Sequence, residues 1–146
     1  MIDINCECCD LPTRKFSEGE VIIREGGRSG CLFFLVSGVL EVRRGEVLIG
    51  EISDSGSVIG EISVLLDRPH TAGVTAKTDA TFHVAEDAVS FLREHPEVNL
   101  HIALDLAKKV DALTCYITDL KQQYEGDEGH LGMVHEVLDS LVHLKH

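Results

Sequence analysis

The chain has 146 residues, 44% of them hydrophobic and 26% charged, and a formal net charge of −12. That length is one domain of ordinary size with room for a proper core, and the acidic balance excludes a nucleic-acid surface, which needs a basic stripe. No apolar run approaches membrane-spanning length, and Met1–Pro12 lacks the basic and apolar regions of a signal peptide, so a cytoplasmic protein with no membrane partner is expected.

Five cysteines, an odd number, give no obvious disulfide framework. Cys6, Cys8 and Cys9 lie close together, but C-x-C-C is not a usual zinc or iron–sulfur spacing. The cluster reads as thiols on a terminal segment, and neither a metal nor a cofactor is expected.

From Phe16 to Ala85 the signals are for strands. Glu20–Arg24, Cys31–Ser37, Val39–Arg43 and Glu46–Ile52 are short and rich in Val, Ile, Leu and Phe, with glycines between them. Arg44-Gly45 is a plausible hairpin turn. Thr71–Thr78 and Thr81–Ala85 follow. Short strands at this spacing predict an antiparallel sandwich, roll or barrel.

Within that region Ser55–Ala76 departs from the strand pattern. Gly56 and Gly60 permit tight turns, and Glu61–Leu66 is helix-forming, with Glu61 in the first turn where a carboxylate complements the dipole. Asp67-Arg68-Pro69 ends the helix, because proline cannot continue it. A glycine-led helix start with free backbone N–H groups suits an anion.

Beyond Glu86 the period becomes helical. Glu86–Glu94 predicts one helix and Pro96 opens a second at its first turn. Ala103, Leu106, Val110, Leu113, Ile117, Leu120 and Tyr124 then recur at alternating spacings of three and four. This narrow seam favours a two-stranded coiled coil, and hence a homodimer, over a helix lying on its own β-domain. Glu125–Gly129 breaks the helix. A last amphipathic segment, Leu131–Leu144, places Val134, Val137, Leu138 and Leu141 on one face.

The order of these parts resembles the cyclic-nucleotide-binding domain, the family of the catabolite-activator-like regulators and the regulatory subunits of cAMP- and cGMP-dependent kinases. Phe16, Gly19-Glu20, Ile22, Glu25-Gly26, Leu32-Phe33-Phe34 and Ser37-Gly38 carry the resemblance, which peaks at Gly60-Glu61-Ile62-Ser63 and Pro69-His70-Thr71-Ala72. It implies a mainly β fold with α: an antiparallel, jelly-roll-like β-roll containing a short phosphate-binding helix, then a long C-terminal dimerisation helix and a short terminal helix. Residues 1–15 read as a short N-terminal segment, 16–124 as the binding domain (β-roll 16–85, helices 86–124) and 125–146 as a C-terminal helical tail.

The resemblance also implies a site for cAMP or cGMP. Gly60 and Glu61 match the positions that hold the ribose, Glu61 accepting from its 2′-hydroxyl. Ile62 belongs to the same motif, and the Ser63 backbone N–H matches the group that meets the cyclic phosphate. Thr71 and Ala72 follow the phosphate anchor, the Thr71 hydroxyl resembling that of cGMP-selective domains. Val42 and Val74 would wall the base, and Thr114 on the long helix would approach it from above.

One departure from the family pattern matters most: His70 stands where the family has Arg. Arginine offers a permanently charged fork to phosphate, whereas histidine offers one donor and a fractional charge. Losing one charge-assisted contact is worth about 1.5–3 kcal/mol, or roughly ten- to 150-fold in affinity.

Some twenty residues follow the long helix, too few for a winged helix-turn-helix. The expectation is therefore a free-standing sensor that binds cAMP or cGMP and acts on a partner protein through its C-terminal helices. The alternative is a dimeric scaffold whose pocket has lapsed. An enzyme is not expected: His83, His95 and His101 do not cluster at metal-ligand spacing, as a cupin-like site would need.

Overall fold

The computed structural model describes Ile4, residues 8–123 and residues 128–143. The strands are β1 (Thr13–Phe16), β2 (Val21–Ile23), β3 (Leu32–Ser37), β4 (Leu40–Arg44), β5 (Val47–Ile52), β6 (Val58–Ile59), β7 (Gly73–Ala76) and β8 (Ala80–Ala85). The helices are α1 (Glu61–Leu66), between β6 and β7, then α2 (Ala88–Glu94), α3 (Pro96–Gln123) and α4 (Glu128–Val142). Two four-stranded antiparallel sheets, ordered β1-β8-β3-β6 and β2-β7-β4-β5, form the β-roll that the family resemblance implies.

The inward residues of both sheets make one core. Phe33, Leu35, Ile59, Phe82 and Val84 meet Ile23, Leu40, Val74 and Ala76, all of them buried. Phe16, Phe33 and Phe82 pack edge to face, with ring centroids 5.6–6.4 Å apart, the geometry that opposed ring quadrupoles favour. Phe16 brings β1 into this core although Thr13–Phe16 shows little strand signal. Pairing with β8, from Thr13↔His83 to Phe16↔Ala80, supplies what local propensity lacks. The two-residue β6, paired to Phe33 and Phe34, is likewise stabilised by pairing and was not expected.

Residue 102 divides the chain into two compact units, Met1–Ile102 and Ala103–His146. In the first, α2 starts at an N-cap: the Asp87 side chain accepts from the Ser90 N–H at 3.3 Å and from its hydroxyl at 2.9 Å. This places the helix start two residues after the expected Glu86. In the second, the expected seam is mostly uncovered: Ala103, Val110 and Leu113 are exposed, and Leu106 and Leu120 are half-buried. Ile117 is buried. The last helix starts at Glu128, three residues before the expected Leu131, with Val134 and Leu138 half-buried and Val137 and Leu141 exposed. Cys6, Tyr124 and Leu144 lie outside the described residues. No helix among the described residues is long and apolar enough to cross a membrane.

Candidate functional site

The segment from Gly60 to Ala72 is a helical detour between two strands, closed at both ends by left-handed residues. Gly60, with φ 91°, opens α1, and Asp67, with φ 48°, ends it, its N–H donating to Ser63 O. A Cβ on Gly60 would stand 2.9 Å from Cys31 O, so only glycine fits that turn without a backbone shift. Ser63 closes the other end: its hydroxyl donates to Arg68 O, while the Arg68 N–H donates to Ser63 O at 3.1 Å.

This detour concentrates burial of polar groups. Among the described residues, the buried polar or charged ones are Glu61, Ser63 and His70. Burying a polar group is unfavourable unless something compensates. The core elsewhere is apolar, and these three buried polar residues fall together within the Gly60–Ala72 detour.

His70 is held on its backbone and on its ring. Its N–H donates to Gly27 O at 2.9 Å, and its carbonyl accepts from Gly26 N–H at 2.8 Å, which ties it to the β2–β3 loop. Its Nε2 lies 3.1 Å from Ser29 Oγ. Burial pushes the imidazole pKa below its ordinary value, towards the neutral form. The same loop grips the end of α1, where the Arg28 guanidinium donates to Asp67 Oδ1 at 3.1 Å and to Asp67 O at 3.2 Å. None of these loop partners was singled out from the sequence. Gly26 was quoted only as part of the family pattern, and Gly27, Arg28 and Ser29 are ordinary turn material.

The remaining site residues fall at several places. Thr71 and Ala72 are half-buried beside His70, and Ile62 is exposed on α1. Val42 and Val74 are direct cross-strand partners on β4 and β7; Val74 is core, with Val42 packed against it. Thr114 belongs to the second unit, where its hydroxyl donates back to Val110 O at 2.8 Å. Arg68 is exposed and, with Arg28, Ser29, Ser63, Val64 and Val89, lines a cleft of about 320 Å³ beside α1 that His70 does not line. No three His, Cys, Asp or Glu among the described residues are placed to hold a metal ion.

A left-handed glycine opening a short helix, a buried carboxylate behind it and a strand that returns through a Pro-His-Thr-Ala turn together form a recognisable cassette. A family model described as the cyclic nucleotide-binding domain matches residues 13–89, from β1 into α2. The chain belongs to the cyclic nucleotide-binding domain family. Among curated proteins this domain is 37% identical over 70 residues to a cAMP-dependent protein kinase regulatory subunit of Mycosarcoma maydis, covering 45% of the chain and 13% of that protein. It is 35% identical over 71 residues to the cGMP-dependent protein kinase egl-4 of Caenorhabditis elegans, covering 49% of the chain and 9% of the kinase. The chain thus spans a small fraction of the length of the curated relatives it matches. Among solved structures it superimposes on one described as Sp-2Cl-cAMPS bound to PKAR CBD2 with a TM-score of 0.59 and 26% identity, covering 75% of the chain and 76% of the other. On the catabolite activator protein of Thermus thermophilus the TM-score is 0.68 at 20% identity, covering 81% and 58%, a likeness of fold. The domain is therefore a cyclic nucleotide-binding β-roll similar to those of kinase regulatory subunits.

Proposed function

We propose that this domain binds cAMP or cGMP at the Gly60–Ala72 cassette and serves as a cytoplasmic regulatory sensor. The observation that carries the reading is the burial of Glu61, Ser63 and His70 together in one helical detour. In the proposed complex Gly60 and Glu61 hold the ribose, with Glu61 accepting from the 2′-hydroxyl. The backbone of Ile62 and Ser63 and the His70 ring meet the cyclic phosphate, Thr71 and Ala72 continue that contact, and Val42 and Val74 flank the base. The signal passes through α3 and α4 to a partner protein, and the exposed Ala103, Val110 and Leu113 support pairing of two copies along α3.

A second reading is a dimeric interaction scaffold with a lapsed pocket. His70 favours it, because a buried ring pushed towards neutrality is a weaker phosphate anchor than an arginine. Thermal-shift measurements with cAMP and cGMP separate the two, since a ligand of the folded state raises the melting temperature. A shift with either nucleotide supports the sensor, and none with both supports the scaffold.

A further inference from the structure

Among the described residues, Asp67 is the one left-handed residue that is not a glycine, with φ 48° and ψ 54°. It stands where a helix end of this kind usually has glycine. The Arg68 N–H reaches back to Ser63 O at 3.1 Å, which makes Asp67 the residue that must turn left-handed as α1 ends. An aspartate tolerates that conformation but is not confined to it, because its Cβ crowds the backbone there.

Arg28 supplies a restraint. Its guanidinium donates from Nη1 to Asp67 Oδ1 at 3.1 Å and from Nη2 to Asp67 O at 3.2 Å. A guanidinium has donors only, so the direction of both bonds is fixed. One rigid, planar group bonded to the carboxylate and the carbonyl of the same residue sets the side chain and the backbone turn together. The loop residues just before Arg28 hold the far end of the same stretch: the Gly26 N–H donates to His70 O, and Gly27 O accepts from the His70 N–H.

We infer that Arg28 is a positioning residue: it holds Asp67 in the left-handed conformation that glycine would take unaided, and so fixes the path of Arg68-Pro69-His70 from α1 into the rest of the cassette. The ligand half of this inference rests on the cassette being the cyclic-nucleotide site. The ion pair is exposed, with 58% of the Arg28 side chain and 96% of the Asp67 side chain accessible, so it adds little to global stability. Its loss is therefore read locally, in the turn it holds and in the affinity of the site.

The direct test is amide hydrogen exchange of the ligand-free protein. In Arg28→Ala the Arg68 and His70 amides are expected to exchange about two- to fivefold faster, the reach of an exposed ion pair, while the sheet amides keep their wild-type rates. Arg28→Lys keeps the charge without the planar fork and should exchange like Arg28→Ala. Adding Asp67→Gly to Arg28→Ala should return both amides to about wild-type protection, since glycine reaches a positive φ at no steric cost. Unchanged Arg68 and His70 rates in Arg28→Ala, or equal acceleration throughout the sheets, overturn the inference. So does full protection in Arg28→Lys, which would make charge sufficient, or a failure of Asp67→Gly to rescue, which would place the action of Arg28 elsewhere.

Calorimetry with cAMP and cGMP supplies the second readout. Arg28→Ala is expected to weaken binding about two- to fivefold, and the added Asp67→Gly to recover most of that loss. An affinity unmoved in Arg28→Ala overturns the link from the turn to the site. If wild type binds neither nucleotide, the cassette reading and the ligand half of the inference fail together, and the exchange rates alone then judge the hold of Arg28 on Asp67.

Discussion

His70 Nε2 and Ser29 Oγ, 41 positions apart in sequence, stand 3.1 Å apart in the fold. That contact joins the β2–β3 loop to the helical detour and sets a loop hydroxyl beside the residue that stands where the family has Arg.

Gly60→Ala should destabilise the domain. At φ 91° an alanine carries the left-handed penalty of about 1–2 kcal/mol, and its Cβ would meet Cys31 O at 2.9 Å, which forces a backbone shift on top. Denaturant unfolding is expected to show a loss of at least about 1–2 kcal/mol. An unchanged midpoint would mean that the turn at the head of α1 relaxes freely.

Glu61 should read the ribose. Wild type is expected to bind 2′-deoxy-cAMP more weakly than cAMP, by about 1.5–3 kcal/mol, the worth of a hydrogen bond to a charged group. Glu61→Ala should lose that discrimination while retaining the fold. If the variant still tells the two ligands apart, another group holds the 2′-hydroxyl.

The lowered pKa of His70 has a stability consequence. The unfolded chain binds the imidazole proton more tightly, so the contribution of the neutral ring is fully present above the ordinary value of 6.5 and is lost as pH falls through the folded value. Unfolding free energy should therefore drop on mild acidification, with a smaller slope in His70→Gln. Ligand affinity should move the other way. An anion beside the ring raises its pKa, so binding takes up protons and strengthens as pH falls. A wild-type and a His70→Gln protein with the same stability profile would remove His70 as its source.

The α3 seam should hold two copies together. Val110 and Leu113 are 49% and 47% exposed, a poor use of apolar residues on a single chain in water. Light scattering is expected to give twice the chain mass for wild type and the single mass for Leu113→Asp. Because Ile117 is already buried within the chain, substitution there should cost stability before it affects assembly. A monomeric wild type would leave the exposed stripe to another partner.

Much of the fold was legible because its signals are local. The bracket of Gly60 and Asp67-Arg68-Pro69 marks α1 to the residue, and the proline at 96 marks the start of α3. Most of the strands were found within a residue or two of their bounds, since Val, Ile and Phe alternate with turn glycines. What stayed hidden is made by pairing at a distance. Thr13–Phe16 and Val58–Ile59 become strands because β8 and β3 lie beside them, and neither segment is long or apolar enough to announce itself. The site divides the same way. Gly60, Glu61, Ser63 and His70 stand in a recognisable motif, whereas Ser29 is one more polar residue in a glycine-rich loop. Only the fold, which seats that loop on the His70 backbone, brings its hydroxyl to the imidazole.

The most direct measurement is calorimetry of wild type and His70→Arg with cAMP and cGMP. The expected result is saturable binding by wild type, with one of the two nucleotides at least, and tightening by roughly ten- to 150-fold in His70→Arg as a charge-assisted contact of about 1.5–3 kcal/mol is restored. No binding by either protein, each shown to be folded, would contradict the sensor and leave the scaffold.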